Sequence, residues 1–255
     1  MPSVMSRQPT SRGRQASSAP RQGARNASAG TGSDTSLLNR FATALDQLVT
    51  LDLGQRGVVA ELHRWAVDRQ GQGRAFAAAS ALATRARPGH VVLIATGWPD
   101  RPHVTPLVAE TDGPPGAALL GRGLHFGLGV VPIFVVESDL VCAMASVAEA
   151  AGLRALKPGE AIAAAVSRAP LHACAVISLA TDLVAARAEA KALFEKFNPT
   201  AVIAVEKGGL NRTDHILTSR GDDTSDALAK ADTLFWEAGH RGVLTIGIGD
   251  GGNEI

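Results

Sequence analysis

The sequence predicts an α/β fold of three layers, in which a mostly parallel β-sheet lies between two layers of α-helices. Two observations lead to this prediction. From residue 90 onward, short apolar runs alternate with longer segments whose apolar residues recur at helical spacing. The runs are continuously apolar, as expected of strands that are covered on both faces. Such an alternation favours parallel strands joined by helical crossovers.

Each element follows from its local pattern. The predicted strands are residues 90–96, 130–138, 171–179, 201–206 and 243–248. The predicted helices are residues 37–49, 56–69, 74–84, 117–127, 182–197 and 225–239. The later helices carry the apolar stripe of helices that pack on a sheet. For the last of them, Thr224 or Ser225 is the expected N-cap.

The first 35 residues differ from the rest of the chain. They are rich in Ser, Arg, Gly and Pro, contain one acid, Asp34, and offer little to bury. We therefore expect residues 1–35 to form a disordered basic tail, and residues 36–255 to form the α/β domain. The sequence stops at GIGDGGNEI, in an acid-bearing turn directly after the last predicted strand, and the resemblance given below implies that the domain is truncated there.

Composition narrows the class of protein. Lys and Arg number 25 against 24 Asp and Glu, so bulk charge gives no attraction toward nucleic acid or membranes. No apolar run approaches the ~20 residues that span a bilayer. We expect a cytoplasmic globular protein that binds a small molecule and has neither a nucleic-acid nor a membrane partner.

Acidic residues gather where the predicted strands end. In a parallel sheet the carboxyl ends of the strands meet at one edge, and ligands bind there. Glu110, Thr111 and Asp112 precede the turn 113–116 and a helix whose first N–H groups can bind an anion. Paired carboxylates suit a divalent cation or acid–base catalysis, and simple capping of the helix is the alternative.

Two later strand ends carry further candidates. Glu206 and Lys207 end the fourth strand and point to opposite sides if the chain is extended there, so one of them can face the crevice. The fifth strand ends in a glycine-rich turn with Asp250, Asn253 and Glu254, and a following helix would put both acids on one face. Several carboxylates at one edge repel each other unless a cation binds them, and oxygen ligands favour Mg²⁺ or Mn²⁺.

A long polar loop, residues 210–226, follows the end of the fourth strand and leads to the last predicted helix. Loops of this length tend to build or cover binding sites. Its chemically useful side chains are His215, Arg220 and Asp223, although a lone histidine is more often solvated than catalytic.

Six motifs follow each other over roughly residues 90–255: TGWPDRPHV, AETDGPPGA, IAVEKGG, RGDD, LFWEAG and GVLTIGIGDGGNEI. In this order they resemble the D-glutamate cyclase family and its bacterial and archaeal relatives of unassigned function. The resemblance implies cyclisation of D-glutamate to 5-oxo-D-proline with loss of water, and a divalent-metal site among the acids. HILTS, before Arg220, departs from the aromatic–Asn pattern of the family, and family members continue beyond Asn-Glu-Ile.

The resemblance and the chemistry of ring closure together assign roles to the acidic and basic residues. The expected catalytic residues are Glu110, Glu206 and Asp250. The expected metal ligands are Asp112, Asp250 and Glu254. The expected substrate-binding residues are Thr111, Gly113, Lys207, Arg220 and Asn253. Mn²⁺ or Mg²⁺ is the expected cofactor, and no nucleotide or organic cofactor is expected.

Two alternatives to a cyclase stay open. ETDGPP and GDGGNE loosely resemble motifs of the haloacid-dehalogenase-like phosphatases, in which an aspartate nucleophile occupies the position of Glu110. The longer side chain misplaces the attacking oxygen, so a metal-dependent phosphohydrolase that positions a water is the better form of this alternative. The other alternative is an inactive truncated chain that only binds a small acid.

Overall fold

The computed structural model describes residues 31–255 except Gln72 and Pro170, and the side chains from residue 36 onward. The chain divides into the unit Met1–Leu37 and the compact unit Leu38–Ile255, and the second unit contains the sheet. Most of the predicted tail, residues 1–35, lies outside the described residues. Of the helices that are described, none is both long and apolar enough to cross a membrane.

Six strands form one all-parallel sheet, in the order β3-β4-β2-β1-β5-β6. The strands are β1 (Val91–Thr96), β2 (Val131–Val136), β3 (Arg154–Ala155), β4 (Ala173–Ser178), β5 (Ala201–Val205) and β6 (Leu244–Ile248). The predicted α/β class and the five predicted strands are confirmed. The sequence analysis missed β3, because a strand of two residues leaves no periodic pattern.

Eight α-helices lie in the described part of the chain. They are α1 (Thr31–Val49), α2 (Val59–Gln70), α3 (Arg74–Arg85), α4 (Gly113–Leu128), α5 (Val141–Ala150), α6 (Pro158–Ala165), α7 (Leu183–Phe197) and α8 (Asp232–Arg241). All six predicted helices exist. The sequence analysis did not predict α5 and α6, which are short and rich in alanine, so that their apolar and polar faces differ little.

The sheet buries both of its faces, which explains its continuously apolar strands. Val92 and Ile94 of β1 belong to the core beneath α3, α4 and α5. Leu93 and Ala95 point the opposite way, into the core shared with α6, α7 and α8. Successive side chains of a strand alternate between faces, so a strand covered on both sides needs apolar residues at every position.

The predicted start of the last helix is wrong. The helix α8 begins at Asp232 rather than near Ser225, and Ala231 is its N-cap. The preceding backbone finds its hydrogen-bond partners elsewhere in the molecule, since Ala229 N–H donates to Glu137 and Lys230 N–H donates to the Ala180 carbonyl. These tertiary contacts hold the segment as a loop despite its apolar periodicity.

Candidate active site

The site lies at the carboxyl edge of the sheet, where β1, β5 and β6 end side by side. Thr96 of β1 is level with Val205 of β5, and Val205 is level with Ile248 of β6. The residues that follow these strands are therefore neighbours. The chain leaves β1 toward β2 on one side and later adds β5 on the other, so the point between β1 and β5 is the topological switch point of the sheet. Ligands of open parallel sheets bind at such a point.

Three carboxylates, here called the acid cluster, converge at this edge: Glu206, Asp250 and Glu254. One oxygen from each lies within 4.8 Å of the other two, and all three residues are half-buried. Partial burial raises the pKa of Glu206 to about 7, and the negative charges of Glu254 and Asp250 add to the rise. The cluster therefore holds a carboxyl group that takes up a proton near neutral pH, as expected when like charges crowd together.

The glycine-rich turn after β6 folds back onto the residues after β5, and residues 249–255 are not helical. Glu254 pairs with Gly208 in an isolated antiparallel bridge, and its carboxylate accepts hydrogen bonds from the N–H groups of Gly251 and Gly252 at 3.1 and 2.8 Å. The Asn253 side chain donates to the Leu217 carbonyl at 2.9 Å. This turn brings Asp250 and Glu254 together, and the Asn253 side chain holds the turn against the long loop.

Glycine residues allow this close return of the chain. The Gly252 backbone has a φ of +82°, a conformation that side chains disfavour. A Cβ on Gly208 would meet the side chains of Ile216, Leu228 and Trp98 at 2.9 Å or less. A larger residue at Gly208 would therefore displace these three side chains, and one at Gly252 would strain the backbone of the turn.

The N-terminus of α4 packs directly against Glu206. Asp112 is the N-cap, and its carboxylate accepts a hydrogen bond from Gly113 N–H at 2.8 Å. A Cβ on Gly113 would lie 3.0 Å from both Glu206 Cβ and Thr96 Oγ1. Gly113 therefore sets the approach of the helix to the acid cluster. Asp112 lies outside the cluster, although its charge contributes to the raised pKa of Glu206.

Glu110 lines an apolar cleft of about 170 Å³. The cleft lies between α4, α5 and the ends of β1 and β2, and its lining includes Pro114, Val136 and Met144, with Thr111 beside Glu110 at the rim. Partial burial there raises the pKa of Glu110, and the charge of Asp112 is the next contribution. Asp250 and Glu254 also raise it, which places Glu110 within the electrostatic reach of the cluster.

The sequence reasoning missed Arg56, which precedes α2 and forms an ion pair with Asp250. Both side chains are about half exposed, 42% for Arg56 and 46% for Asp250. The two residues are 194 positions apart, so no local pattern connects them. Among the described residues, Arg56 is the one cation that forms an ion pair with the acid cluster. Three carboxylates and one guanidinium leave the cluster with a net negative charge.

Lys207 and Arg220 lie in very different surroundings. Lys207 is fully buried, and its ammonium forms an ion pair with Glu137 after β2. Arg220 is exposed in the long loop. In the same loop Asp223 accepts hydrogen bonds from Ser225 and from His215 Nδ1, and these bonds, led by that of the Ser225 hydroxyl, lower the pKa of Asp223 to about 2.

A parallel α/β sheet with acidic residues at its switch point places the chain among the open α/β folds, whose ligands bind at that point. Residues 45–255 match the family model described as D-glutamate cyclase-like, C-terminal. The match covers most of the chain, so the chain belongs to the D-glutamate cyclase-like family, as its motifs suggested. No curated protein matches the chain.

Proposed function

We propose that this protein is a lyase that cyclises D-glutamate to 5-oxo-D-proline with loss of water, assisted by Mn²⁺ or Mg²⁺. The observation that carries the proposal is the acid cluster, three converging carboxylates at the switch point of a family domain. No nucleotide or organic cofactor enters the proposed reaction. The partner is a small molecule with two carboxylates and an amine.

The acid cluster has the chemistry that a divalent cation requires. Three half-buried carboxylates offer hard oxygen ligands, and the raised pKa of Glu206 reflects its partial burial first and the negative charges of Glu254 and Asp250 second. Glu206, Asp250 and Glu254 would hold the cation, with Glu206 in place of the Asp112 expected from the sequence. A bound cation would neutralise the γ-carboxylate of the substrate and its developing oxyanion.

Ring closure also requires a base for the α-amine and an acid for the departing water. Glu110 lies within the electrostatic reach of the cluster, and its raised pKa brings it nearer to neutral pH, where proton transfer in both directions is efficient. The ammonium group of the substrate loses two protons during ring closure, and the departing oxygen gains two to leave as water. We assign Glu110 both roles, as the base that takes each proton from the nitrogen and as the acid that delivers it to the leaving oxygen. The apolar cleft beside Glu110 offers space for the two methylene groups of the substrate.

The α-carboxylate of the substrate requires a cationic or N–H partner. Arg56 and the exposed Arg220 are the proposed cations, and Thr111 and Gly113 line the approach. Asn253 acts on the substrate site indirectly, because its side chain holds the glycine-rich turn in place. Lys207 receives no substrate contact in this proposal, because none of its side-chain surface is exposed.

The test is turnover with defined metals and stereoisomers. The protein is incubated with D- or L-glutamate and Mn²⁺, Mg²⁺ or EDTA, and 5-oxoproline is followed by chiral chromatography. Metal-dependent 5-oxo-D-proline, lost in E206Q and kept in E195Q, supports the proposal, since Glu195 is an exposed residue of α7. A phosphate ester is assayed in parallel, and phosphate release without 5-oxoproline would refute the cyclase in favour of the phosphohydrolase.

A further inference from the structure

The ammonium group of Lys207 joins the ends of three strands beneath the acid cluster. It donates a hydrogen bond to the Gly97 carbonyl after β1 at 2.8 Å and a longer one to the Thr96 carbonyl at 3.4 Å. Its third partner is the Glu137 carboxylate after β2. Since Lys207 itself follows β5, one side chain connects β1, β2 and β5 at the edge that forms the site.

Glu137 extends the same connection to the segment before α8. Its Oε1 accepts a second hydrogen bond, from Ala229 N–H at 2.9 Å. The residue is only 3% exposed, and its Oε2 has no hydrogen-bond partner among the described residues. A buried carboxylate in this position depends on the lysine, because an unpaired buried charge is strongly unfavourable.

Glu206, directly before Lys207, has an unusual backbone conformation. Its φ is +47°, in the left-handed region that residues other than glycine rarely adopt. Such a conformation persists only where the surrounding structure enforces it. Here Glu206 N–H donates to the Ile248 carbonyl at 2.9 Å on one side, and the Lys207 carbonyl accepts from Ile255 N–H at 3.0 Å on the other. The residue after Glu206 is Lys207, and its buried side chain holds it in place.

We propose that Lys207 is a positioning residue, whose buried pair with Glu137 holds Glu206 in the left-handed conformation and so places the Glu206 carboxylate beside Asp250 and Glu254. Lys207 thus acts through Glu206 and contacts no substrate. The backbone part of this proposal stands on the geometry alone. Its consequence for metal binding rests on the function proposed above.

The experiment removes both charges of the pair together. K207M alone leaves Glu137 charged and unpaired, and that variant is expected to fold poorly. K207M/E137Q keeps the side-chain sizes and an acceptor for Ala229 N–H, so it is the informative variant. The matched control is K230M, which removes the other buried lysine. The Lys230 ammonium donates to the carbonyls of Ser225 and Leu228 and interacts with Glu137 and Lys207 only through charge, so K230M removes a buried cation without removing the hydrogen bonds of the pair.

Two measurements are made on folded protein. In metal-free protein labelled at glutamate, the Cα and Cβ chemical shifts and the HN–Hα coupling of Glu206 report its φ angle. Mn²⁺ binding is followed by electron paramagnetic resonance of the free ion. For K207M/E137Q we expect Glu206 to lose its left-handed signature and Mn²⁺ affinity to fall about tenfold or more, the range seen when residues behind metal ligands are changed. K230M should change neither.

A folded double variant that keeps the left-handed signature of Glu206 overturns the proposal, whatever its metal affinity. Loss of the signature with unchanged Mn²⁺ affinity overturns the link from conformation to metal binding. Absence of Mn²⁺ binding in the wild-type protein refutes the metal-assisted function instead, and the chemical shifts still decide whether Lys207 positions Glu206.

Discussion

Replacing Glu206 by glutamine should stabilise the metal-free protein at alkaline pH. The folded structure raises the pKa of this carboxyl from 4.5 to about 7. Each pKa unit corresponds to about 1.4 kcal/mol, so the upper limit of the effect is about 3.4 kcal/mol. Because the residue is only half-buried, solvent screening reduces this to about 2 kcal/mol.

The pH dependence of the effect has a definite sign. Below about pH 4.5 the carboxyl is protonated in the folded and the unfolded chain, so E206Q and the wild type should be equally stable. Between pH 4.5 and about 7 only the unfolded chain ionises, and the wild type loses stability relative to the variant. Above about pH 7 both states are ionised, and the full difference of about 2 kcal/mol remains.

The assay is urea unfolding in EDTA at pH 4.5, 6 and 8, with the midpoint of thermal unfolding as a second measure. At pH 8 the melting temperature of E206Q should exceed that of the wild type by about 4 to 8 °C for a domain of this size. E195Q controls for the loss of an exposed carboxylate. A difference that is the same at pH 4.5 and pH 8, or a less stable E206Q at pH 8, would refute the reasoning.

Three further predictions concern the same site. G113A should lower the free energy of unfolding in urea by about 1–3 kcal/mol and weaken Mn²⁺ binding, because the added methyl group meets Glu206. The control G123A, in open space on the same helix, should be neutral or slightly stabilising. R56M should change the free energy of unfolding by less than about 1 kcal/mol, since the pair between Arg56 and Asp250 is half exposed. The same variant should bind Mn²⁺ more tightly in calorimetry, because the Asp250 carboxylate is freed. E206G should be more stable than E206Q by about 1–2 kcal/mol in urea unfolding at pH 8, because glycine adopts a positive φ without strain.

The sequence predicted the sheet well because its strands are buried on both faces. A run such as VVLIAT of β1 indicates a buried strand wherever it occurs in the chain. The alternation of strands and helices then restricts the sheet to few topologies. The start of α8 was mispredicted because the partners of Ala229 and Lys230 are distant in sequence. Local periodicity carries no information about such contacts.

The candidate site was predictable in its residues and less so in its arrangement. Glu206, Asp250 and Glu254 attracted notice because acids follow apolar strands, and the parallel sheet brings such positions together. Two features depended on the folded chain. The return of the turn onto Gly208 brings Glu254 to Glu206, and the burial of Lys207 follows from Glu137, which lies 70 residues earlier. Neither contact can be predicted from the spacing of residues in the sequence.

The ion pair between Arg56 and Asp250 also has a consequence for the order in which the molecule is made. During synthesis on the ribosome, the segment before α2 leaves the exit tunnel 194 residues ahead of its partner. At about 5–20 residues per second, this is a delay of roughly 10 to 40 s. Until β6 and its turn have emerged and β6 has paired with β5, the nascent chain holds Arg56 and Glu206 without the other two acids. Binding of the proposed cation by the emerging polypeptide would therefore begin only after Glu254 has left the exit tunnel.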